Sequence, residues 1–379
     1  MPDLHIAADR HIPIPDWMVP KGVRIQRFDP SGGFPADVTD MDALLVRTVL
    51  PVHSSTLPQT GKLRFVGSAT AGYDHVDTDW LRENGVSFAC SRGCNARSVA
   101  EYVATVLLLQ YGECEDSLRN RTVGIIGAGY AGRATAHLLK KLGMRPVLHD
   151  PPREAVDPEF QGATRADVLQ CEILSFHTSY HRGGSHPSHH WMDENAFQTS
   201  RAQLLINASR GGVVDEEALG NALKSGPLKR AVLDVWEGEP MITERQVEQA
   251  CIATPHIAGY SVESKENASR MVIEALCREF NRPVPSRNEP RTPIRIGCDT
   301  NDPDNPPESI QKVIGHIHPV LDFDREMRRL LPLPDSDRNA AFLKLRAEAP
   351  LRREFPAIRV PASWIDRWSW LSILGIEPE

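Results

Sequence analysis

The chain has 379 residues, of which 41% are hydrophobic and 25% charged, and its 43 basic and 50 acidic side chains give a net charge of -7. That length exceeds one typical hydrophobic core, so we expect two or three domains, and the mildly acidic balance gives no support for a nucleic-acid or membrane surface as partner. No apolar run approaches the roughly 18 residues of a membrane span, and the first residues lack the basic start and apolar centre of a secretory signal.

The first part of the chain alternates short β-like runs with polar or helical pieces. The runs are LHIAA, VRIQRF, ALLVRTV, LRFVGSA and VSFAC. Apolar runs separated by segments long enough for crossovers are typical of a parallel sheet with flanking helices. A buried helix is predicted next in SVAEYVATVLLLQ, because Ser98 and Glu101 have the spacing of a capping box at a helix start.

A second alternating series begins at Arg121. Its β-like runs are TVGIIG, RPVLHD, CEILSFHT, AQLLINAS, RAVLDVW and CIATPH. Helical patterns separate these runs, and another helical pattern, SKENASRMVIEALCREF, follows the last of them. This alternation predicts a doubly wound α/β domain with a parallel sheet.

The composition changes after residue 283. Seven prolines, from Pro283 to Pro307, predict a linker, and the apolar spacing beyond them predicts amphipathic helices in a small third domain. The chain has seven scattered cysteines, an odd number that shows no disulfide framework. This favours reduced thiols and a cytoplasmic location.

The stretch TVGIIGAGYAGRATAHLLKKLG has the glycine spacing of a dinucleotide site, directly between a β-run and a helix. Gly127 permits the tight turn, Gly129 lets the backbone approach a pyrophosphate, and Gly132 permits close helix–strand packing. Asp150, at the end of the next β-run, can accept hydrogen bonds from ribose hydroxyls and would repel a 2′-phosphate. NAD is therefore favoured over NADP, although Arg153 offers a cation for a 2′-phosphate. The predicted cofactor contacts here are Gly127, Gly129, Tyr130, Ala131, Gly132 and Asp150.

Three charged or titratable residues follow β-runs of the second series: Arg210 after LLINAS, Glu239 after AVLDVWEG, and His256 in TPHIAGYS. The ends of successive parallel strands meet at one edge of a sheet, so these side chains are expected to converge. Arg suits a substrate carboxylate and a developing carbonyl, His accepts a hydroxyl proton, and Glu orients the imidazole. Each of the three also has a simpler interpretation, as a surface charge or as a buried group whose hydrogen bonds are all made.

The motifs NASRGGVVDEEAL, LDVWEGEP, TPHIAGYS, GSATAGYDHVD and GCNARSVAEYV resemble those of the D-isomer-specific 2-hydroxyacid dehydrogenases. The resemblance implies two Rossmann-like α/β domains with a cleft between them, plus a small C-terminal α+β dimerisation domain. Residues 1–97 and 257–285 would form the substrate-binding domain, residues 98–256 the NAD-binding domain, and residues 286–379 the linker and dimerisation domain.

The same resemblance assigns site residues. The family's catalytic Arg, Glu and His correspond to Arg210, Glu239 and His256. Its cofactor-side positions fall on Thr178, Asp234 and Gly259, and its substrate contacts on Arg47, Thr48, Thr70 and Tyr260. No metal is implied.

Within the family, the sequence most resembles the branch that oxidises 4-phospho-D-erythronate in pyridoxal 5′-phosphate biosynthesis, and that branch forms homodimers. A phosphorylated substrate needs further cations, and we consider that Arg352 or Arg353 holds the phosphate across the dimer. The alternatives are another dehydrogenase of this family, acting on phosphoglycerate, lactate or glyoxylate, and an NAD-sensing corepressor without catalysis.

Four histidines crowd the stretch HRGGSHPSHHW and suggest a metal site. The stretch is rich in glycine and follows a predicted strand end, so we interpret it as a connecting loop. The histidines are His181, His186, His189 and His190.

Overall fold

The structure is a computed structural model that describes residues 3–112, 115–286, 292–297 and 307–379. The chain divides into two compact units. Unit 1 consists of Met1–Asn95 and Ser261–Arg291, and unit 2 consists of Ala96–Tyr260 and Thr292–Glu379.

Unit 1 contains a five-stranded parallel sheet with the order β2-β1-β3-β4-β5. Each predicted run of the first part forms a strand. The elements are β1 Leu4–Asp9, β2 Val23–Phe28, β3 Ala43–Val46, β4 Phe65–Ser68, α1 Thr78–Glu83 and β5 Ser87–Cys90. β3 and β4 are buried along their whole length, as expected for parallel strands that are covered on both faces.

Unit 2 contains a six-stranded parallel sheet with the order β11-β10-β9-β8-β6-β7, which confirms the predicted doubly wound arrangement. The strands are β6 Thr122–Ile126, β7 Arg145–His149, β8 Ile173–Phe176, β9 Leu204–Asn207, β10 Arg230–Leu233 and β11 Ile252–Ala253. The helices before β11 are α2 Ala96–Tyr111, α3 Tyr130–Lys141, α4 Pro151–Glu154, α5 Arg165–Leu169, α6 Glu194–Thr199, α7 Glu216–Ser225 and α8 Glu244–Gln249. β7 lies on one side of β6, and β8 to β11 follow on the other, so the direction in which strands are added reverses at β6. Such a reversal leaves a crevice at the carboxyl ends of the strands.

The predicted capping box at Ser98 is wrong, because α2 begins at Ala96 and both residues lie inside the helix. Ser98 Oγ donates to Glu354 Oε1 at 2.9 Å, and Glu101 is fully buried against Arg97 and Arg352. Both side chains therefore make tertiary contacts instead of capping a helix.

The helix predicted after His256 is α9, Val262–Glu279, and it belongs to unit 1. Ser261 is its N-cap, with a capping box to Ser264. Ala268, Val272 and Leu276 of α9 are buried in the apolar core of unit 1.

The C-terminal residues pack into unit 2. Their small parallel sheet has the order β12-β13-β14, and it accompanies five helices. The elements are β12 Ile294–Arg295, α10 Ile310–Ile317, α11 Val320–Arg329, α12 Asp335–Ala347, β13 Ile358–Val360, α13 Ala362–Arg367, α14 Trp370–Leu374 and β14 Glu377–Pro378. Ile310, Phe355 and Trp364 share one apolar cluster with Leu107 of α2. Three prolines of the predicted linker, Pro290, Pro303 and Pro306, lie outside the described residues. Among the residues that the structure describes, no helix is both long and apolar enough to cross a bilayer.

Candidate active site

The three predicted strand-end residues follow three neighbouring parallel strands of unit 2. Arg210 comes after β9, Glu239 after β10 and His256 after β11. Because the strands are parallel, these residues lie at the same edge of the sheet.

His256 and Glu239 are in direct contact. Glu239 Oε2 lies 2.8 Å from His256 Nδ1, and both side chains are mostly buried. Burial alone would raise the pKa of Glu239, but the charge and hydrogen bond of His256, together with Arg346, lower it below its ordinary value. A carboxylate that accepts from Nδ1–H leaves the lone pair of the neutral ring on Nε2, where it can take a proton.

The backbone of His256 has a φ of 60°, in the left-handed region that non-glycine residues seldom adopt. The buried carboxylate of Asp234 holds the segment on both sides of it. Its Oδ1 accepts from Thr254 Oγ1 at 2.6 Å and from Ile257 N–H at 2.8 Å, and its Oδ2 accepts from Ala258 N–H at 2.9 Å. Asp234 therefore fixes the turn that carries the imidazole.

Trp236 links the turn that carries Glu239 to Thr254 and to the loop after Arg210. Its backbone N–H donates to Glu239 Oε1 at 2.9 Å, and its indole N–H donates to Thr254 O at 3.1 Å. A Cβ on Gly211 would lie 1.9 Å from Trp236 O, so only glycine allows the loop after Arg210 to pack this closely. The loops that carry Arg210 and Glu239 are therefore adjacent.

The side chain of Arg210 is partly buried, and its NH1 donates to Ser209 O at 2.8 Å. Asn207 Nδ2 donates to Arg210 O at 2.9 Å, which braces the loop against the end of β9. The structure thus brings His256 and Glu239 into contact and places Arg210 in the neighbouring loop.

Sequence reasoning missed Arg346, which comes from α12 in the C-terminal segment. Its NH1 lies 3.6 Å from Glu239 Oε2. Burial acts to lower the pKa of Arg346, but Tyr260 and Glu239 outweigh it and raise the pKa above its ordinary value. A helix far along the chain carries no sequence signal for such a contact, since neither spacing nor motif connects it with Glu239.

The glycine loop after β6 leads directly into α3. A Cβ on Gly132 would lie 1.9 Å from Gly127 O, and one on Gly127, whose φ is 94°, would lie 2.7 Å from Thr178 N. A Cβ on Gly129, the N-cap of α3, would meet nothing within 4 Å. The loop is therefore closed against β8 and open at the helix N-terminus, as binding of a pyrophosphate requires.

Asp150 lies beside that loop. Its Oδ2 accepts from Ala128 N–H at 2.7 Å and its Oδ1 from Arg153 N–H at 3.0 Å, and each oxygen keeps a lone pair for a ribose hydroxyl. The guanidinium of Arg153 is paired with Asp157 at 2.7 Å and donates to Ala128 O at 2.8 Å. Arg153 is thus held away from the role of a 2′-phosphate ligand, which favours NAD.

Comparisons with known proteins agree with this geometry. Residues 96–258 match the family model described as D-isomer specific 2-hydroxyacid dehydrogenase, NAD binding domain. An erythronate-4-phosphate dehydrogenase of Marinobacter nauticus is 37% identical, and the alignment covers 94% of each chain. The corresponding protein of Pseudomonas aeruginosa is 34% identical over 94% of this chain and 95% of its own. The chain belongs to the D-isomer-specific 2-hydroxyacid dehydrogenase family. Among solved structures, a D-lactate dehydrogenase from Aquifex aeolicus in complex with NAD and lactic acid has a fold similar to this 2-hydroxyacid dehydrogenase, with a TM-score of 0.59, 22% identity, and coverage of 73% of this chain and 95% of that one.

The cofactor of this 2-hydroxyacid dehydrogenase is NAD, and the residues of unit 2 fit it. The open position at Gly129 suits the pyrophosphate, and Asp150 suits the adenosine ribose. Tyr130 and Ala131 form the first turn of α3, and Tyr130 is exposed. Thr178 touches the glycine loop through its backbone, and Gly259 lies in the turn between His256 and α9.

The predicted substrate contacts of unit 1 also lie at the carboxyl edge of their sheet. Arg47 and the exposed Thr48 follow β3, and Thr70 follows β4. Arg47 Nε donates to the buried Asp9 Oδ2 at 2.8 Å, so part of its charge is already neutralised. Thr70 Oγ1 donates to Gly72 O at 2.8 Å.

The histidine-rich loop has a carboxylate partner that its sequence does not reveal. His190 Nε2 lies 3.0 Å from Glu237 Oε1, and His189 stacks on His190 with ring centroids 3.9 Å apart. One ligand atom from each of these three residues lies within 4.8 Å of the others. The connecting-loop interpretation without a metal remains a prediction.

The hypothesis that Arg352 holds a substrate phosphate across a dimer is wrong. Its NH1 donates to Glu101 Oε2 at 2.6 Å, its NH2 donates to Ser98 O at 3.0 Å, and both members of the ion pair are buried. Arg352 is therefore committed to a contact inside its own unit. Arg353 NH1 donates to Thr292 O at 3.3 Å.

Proposed function

We propose that this protein oxidises the C2 hydroxyl of 4-phospho-D-erythronate to 2-oxo-3-hydroxy-4-phosphobutanoate with NAD, a step of pyridoxal 5′-phosphate biosynthesis. The observation that carries the proposal is the alignment over nearly the whole chain, the C-terminal segment included, with relatives named erythronate-4-phosphate dehydrogenase. The contact between His256 and Glu239 supports the type of reaction.

His256 Nε2 accepts the proton of the C2 hydroxyl as the oxidation proceeds. Glu239 holds the ring by Nδ1 and balances the charge that develops on the imidazole. Arg210 binds the carboxylate and the developing carbonyl with its planar donors. NAD, when bound, supplies the hydride acceptor.

Unit 1 supplies the substrate-binding domain in this proposal, through Arg47, Thr48 and Thr70, and Tyr260 of unit 2 completes the substrate contacts. The carboxyl-edge position of the first three residues supports that assignment. Gly127, Gly129, Tyr130, Ala131, Gly132, Asp150, Thr178, Asp234 and Gly259 contact the cofactor in the proposal.

The protein acts as a cytoplasmic homodimer in this proposal, and the C-terminal segment forms the interface. Exposed Leu321, Leu343, Leu351 and Ile373 in that segment support the interface. The five cysteines among the described residues are free thiols, which supports a reducing compartment.

The test is NADH formation with 4-phospho-D-erythronate beside unphosphorylated erythronate, 3-phosphoglycerate and D-lactate. We expect kcat/KM to be about a hundredfold higher for 4-phospho-D-erythronate than for erythronate, because charge-assisted hydrogen bonds to the phosphate each contribute about 1.5–3 kcal/mol. A higher kcat/KM for another acid would reassign the substrate, and turnover of none would favour a non-catalytic NAD sensor.

His256→Asn tests the proton acceptor. It should lower kcat by about 10²- to 10⁴-fold, since Asn cannot take up the proton. The matched control is His316→Asn on the exposed face of α10, which should leave kcat unchanged.

A further inference from the structure

Arg346 is a cation beside the pair formed by Glu239 and His256, and nothing in the site described so far gives it a role. It lies near the end of α12, and its NH1 is 3.6 Å from Glu239 Oε2. The Arg346 side chain is 24% exposed and that of Glu239 is 18% exposed, so solvent screens this ion pair far less than a surface pair.

The carboxylate of Glu239 is held from three directions. Trp236 N–H donates to Oε1 at 2.9 Å, while Oε2 faces both His256 Nδ1 at 2.8 Å and the guanidinium of Arg346. Trp236 alone would leave the carboxylate free to rotate about its hydrogen-bonded oxygen. The guanidinium restrains that rotation, because it attracts Oε2 on the side that faces the imidazole.

We propose that Arg346 is a positioning residue for the proton transfer: it keeps Glu239 ionised and aimed at His256 Nδ1. The role rests on the proposed function, because it matters only if His256 exchanges a proton with a substrate. The C-terminal segment then completes the active site of its own unit.

The electrostatics agree with the geometry. Burial opposes ionisation of Glu239, and His256, Arg346 and the Trp236 N–H together overcome that opposition. The carboxyl of Glu216 is a further titratable group that interacts with Glu239. When His256 is neutral, Arg346 still has a full positive charge beside Glu239, since a guanidinium stays protonated at any working pH. Arg346 therefore supplies the charge that stabilises the Glu239 carboxylate in the state of the cycle in which the imidazole offers only its Nδ1–H.

A direct contact with the substrate phosphate would also use a cation here, and kinetics separate the two roles. A positioning residue affects kcat and the pH profile, whereas a phosphate ligand affects KM for the phosphorylated substrate. Arg346 already interacts with Tyr260 and with Glu239, and these two partners inside its own unit favour positioning.

The experiment compares Arg346→Gln and Arg346→Lys with Lys344→Gln, an exposed residue two positions earlier in α12. Activity is followed in the reducing direction, from the 2-oxo acid and NADH, where His256 must be protonated beside an ionised Glu239. We expect Arg346→Gln to lower kcat by about 10- to 100-fold and to move the acid-side loss of activity upward by about one pH unit. Arg346→Lys should recover most of kcat, and Lys344→Gln should match the wild type.

Two results would overturn the proposal. One is that Arg346→Gln leaves both kcat and the acid-side loss of activity unchanged. The other is that Arg346→Gln only raises KM for the phosphorylated substrate. If the wild type prefers another 2-hydroxy acid, the same comparison is made with that acid.

A second readout does not depend on turnover. A carbon-13 titration of the Glu239 carboxyl in nucleotide-free protein should give a higher pKa in Arg346→Gln than in the wild type or in Lys344→Gln. An unchanged titration would contradict the role of Arg346 even if the enzyme were inactive on every acid tested, so failure of this inference and failure of the proposed function are distinguishable.

Discussion

Asp234 Oδ1 accepts a hydrogen bond of 2.8 Å from the backbone N–H of Ile257, the residue directly after His256. The carboxylate sits at the end of β10 and is 1% exposed. A left-handed backbone costs of order 1 kcal/mol or more for a non-glycine residue, so the turn at His256 needs such a restraint.

Asp234→Asn tests that restraint. Asparagine keeps one acceptor oxygen but turns an amide NH₂ toward a backbone N–H, and a buried unsatisfied donor costs about 1–3 kcal/mol. We expect the free energy of unfolding of nucleotide-free protein to fall by about 2 kcal/mol, measured by urea denaturation, and kcat to fall with it. Asp322→Asn on the exposed face of α11 is the control, with an expected change below about 0.5 kcal/mol. Equal stability of Asp234→Asn and the wild type would show that the turn holds without the carboxylate.

Glu216 in the first turn of α7 predicts a pH dependence of stability. Burial raises its pKa from 4.5 to about 7. Between these values the native state binds the proton more tightly than the unfolded chain, so stability falls as the pH rises through this window, by up to about 3 kcal/mol.

Glu216→Gln removes this ionisation, although the NH₂ of glutamine replaces one of the two oxygens that accept from Glu237 N–H and Gln246 Nε2. The cost of that replacement is the same at every pH, so we expect the free energy of unfolding of the variant, relative to the wild type, to be about 2 kcal/mol higher at pH 8 than at pH 5. Glu217→Gln, at an exposed position in the same turn, should change neither value. A constant difference between the Glu216 variant and the wild type at both pH values would argue against a raised pKa.

Asp150→Ser tests the choice of nucleotide. Loss of the ribose ligand should lower kcat/KM for NAD by about 10- to 100-fold. NADP should gain little, because Asp157 and Ala128 O still hold Arg153. Adding Asp157→Asn should release Arg153 and raise kcat/KM for NADP above that of the single variant. If Asp150→Ser alone uses NADP well, Arg153 is more mobile than its contacts suggest.

The proposed dimer interface can be tested at its exposed leucines. Leu321→Glu combined with Leu343→Glu places two charges on the C-terminal segment, and light scattering should then report a monomer where the wild type is a dimer. Val156→Glu, at a more exposed apolar position elsewhere in unit 2, should leave the mass unchanged. A wild type that is monomeric at micromolar concentration would refute the dimer itself.

The sequence predicts the parts of this protein that depend on local patterns. Each apolar run of the two alternating series forms a strand, because strands buried on both faces need such runs. The glycine loop, the contact between Glu239 and His256 and the position of Arg210 in a neighbouring loop follow from strand ends that meet at one edge.

Contacts that depend on distant packing were beyond reach from sequence. Glu101 fits a capping box, yet it pairs with Arg352, since tertiary partners override a weak local preference. Arg346 reaches Glu239 only because α12 packs against the loop after β10. The partner of His190, Glu237, belongs to the loop of another strand.

The buried ion pair of Glu101 and Arg352 ties the C-terminal segment, here called the tail, to the nucleotide-binding part of unit 2. A protease cut ahead of Arg352 that released the tail would strip two donors, the guanidinium and the Phe355 N–H, from a carboxylate inside α2. Arg97 would remain the partner of that carboxylate, so the cost is below the roughly 3–5 kcal/mol of a buried charge with no partner, yet still a sizeable part of the stability of a domain. Trimming this chain to its dinucleotide-binding portion should therefore yield a destabilised fragment, so any shortened version needs to keep the C-terminal segment.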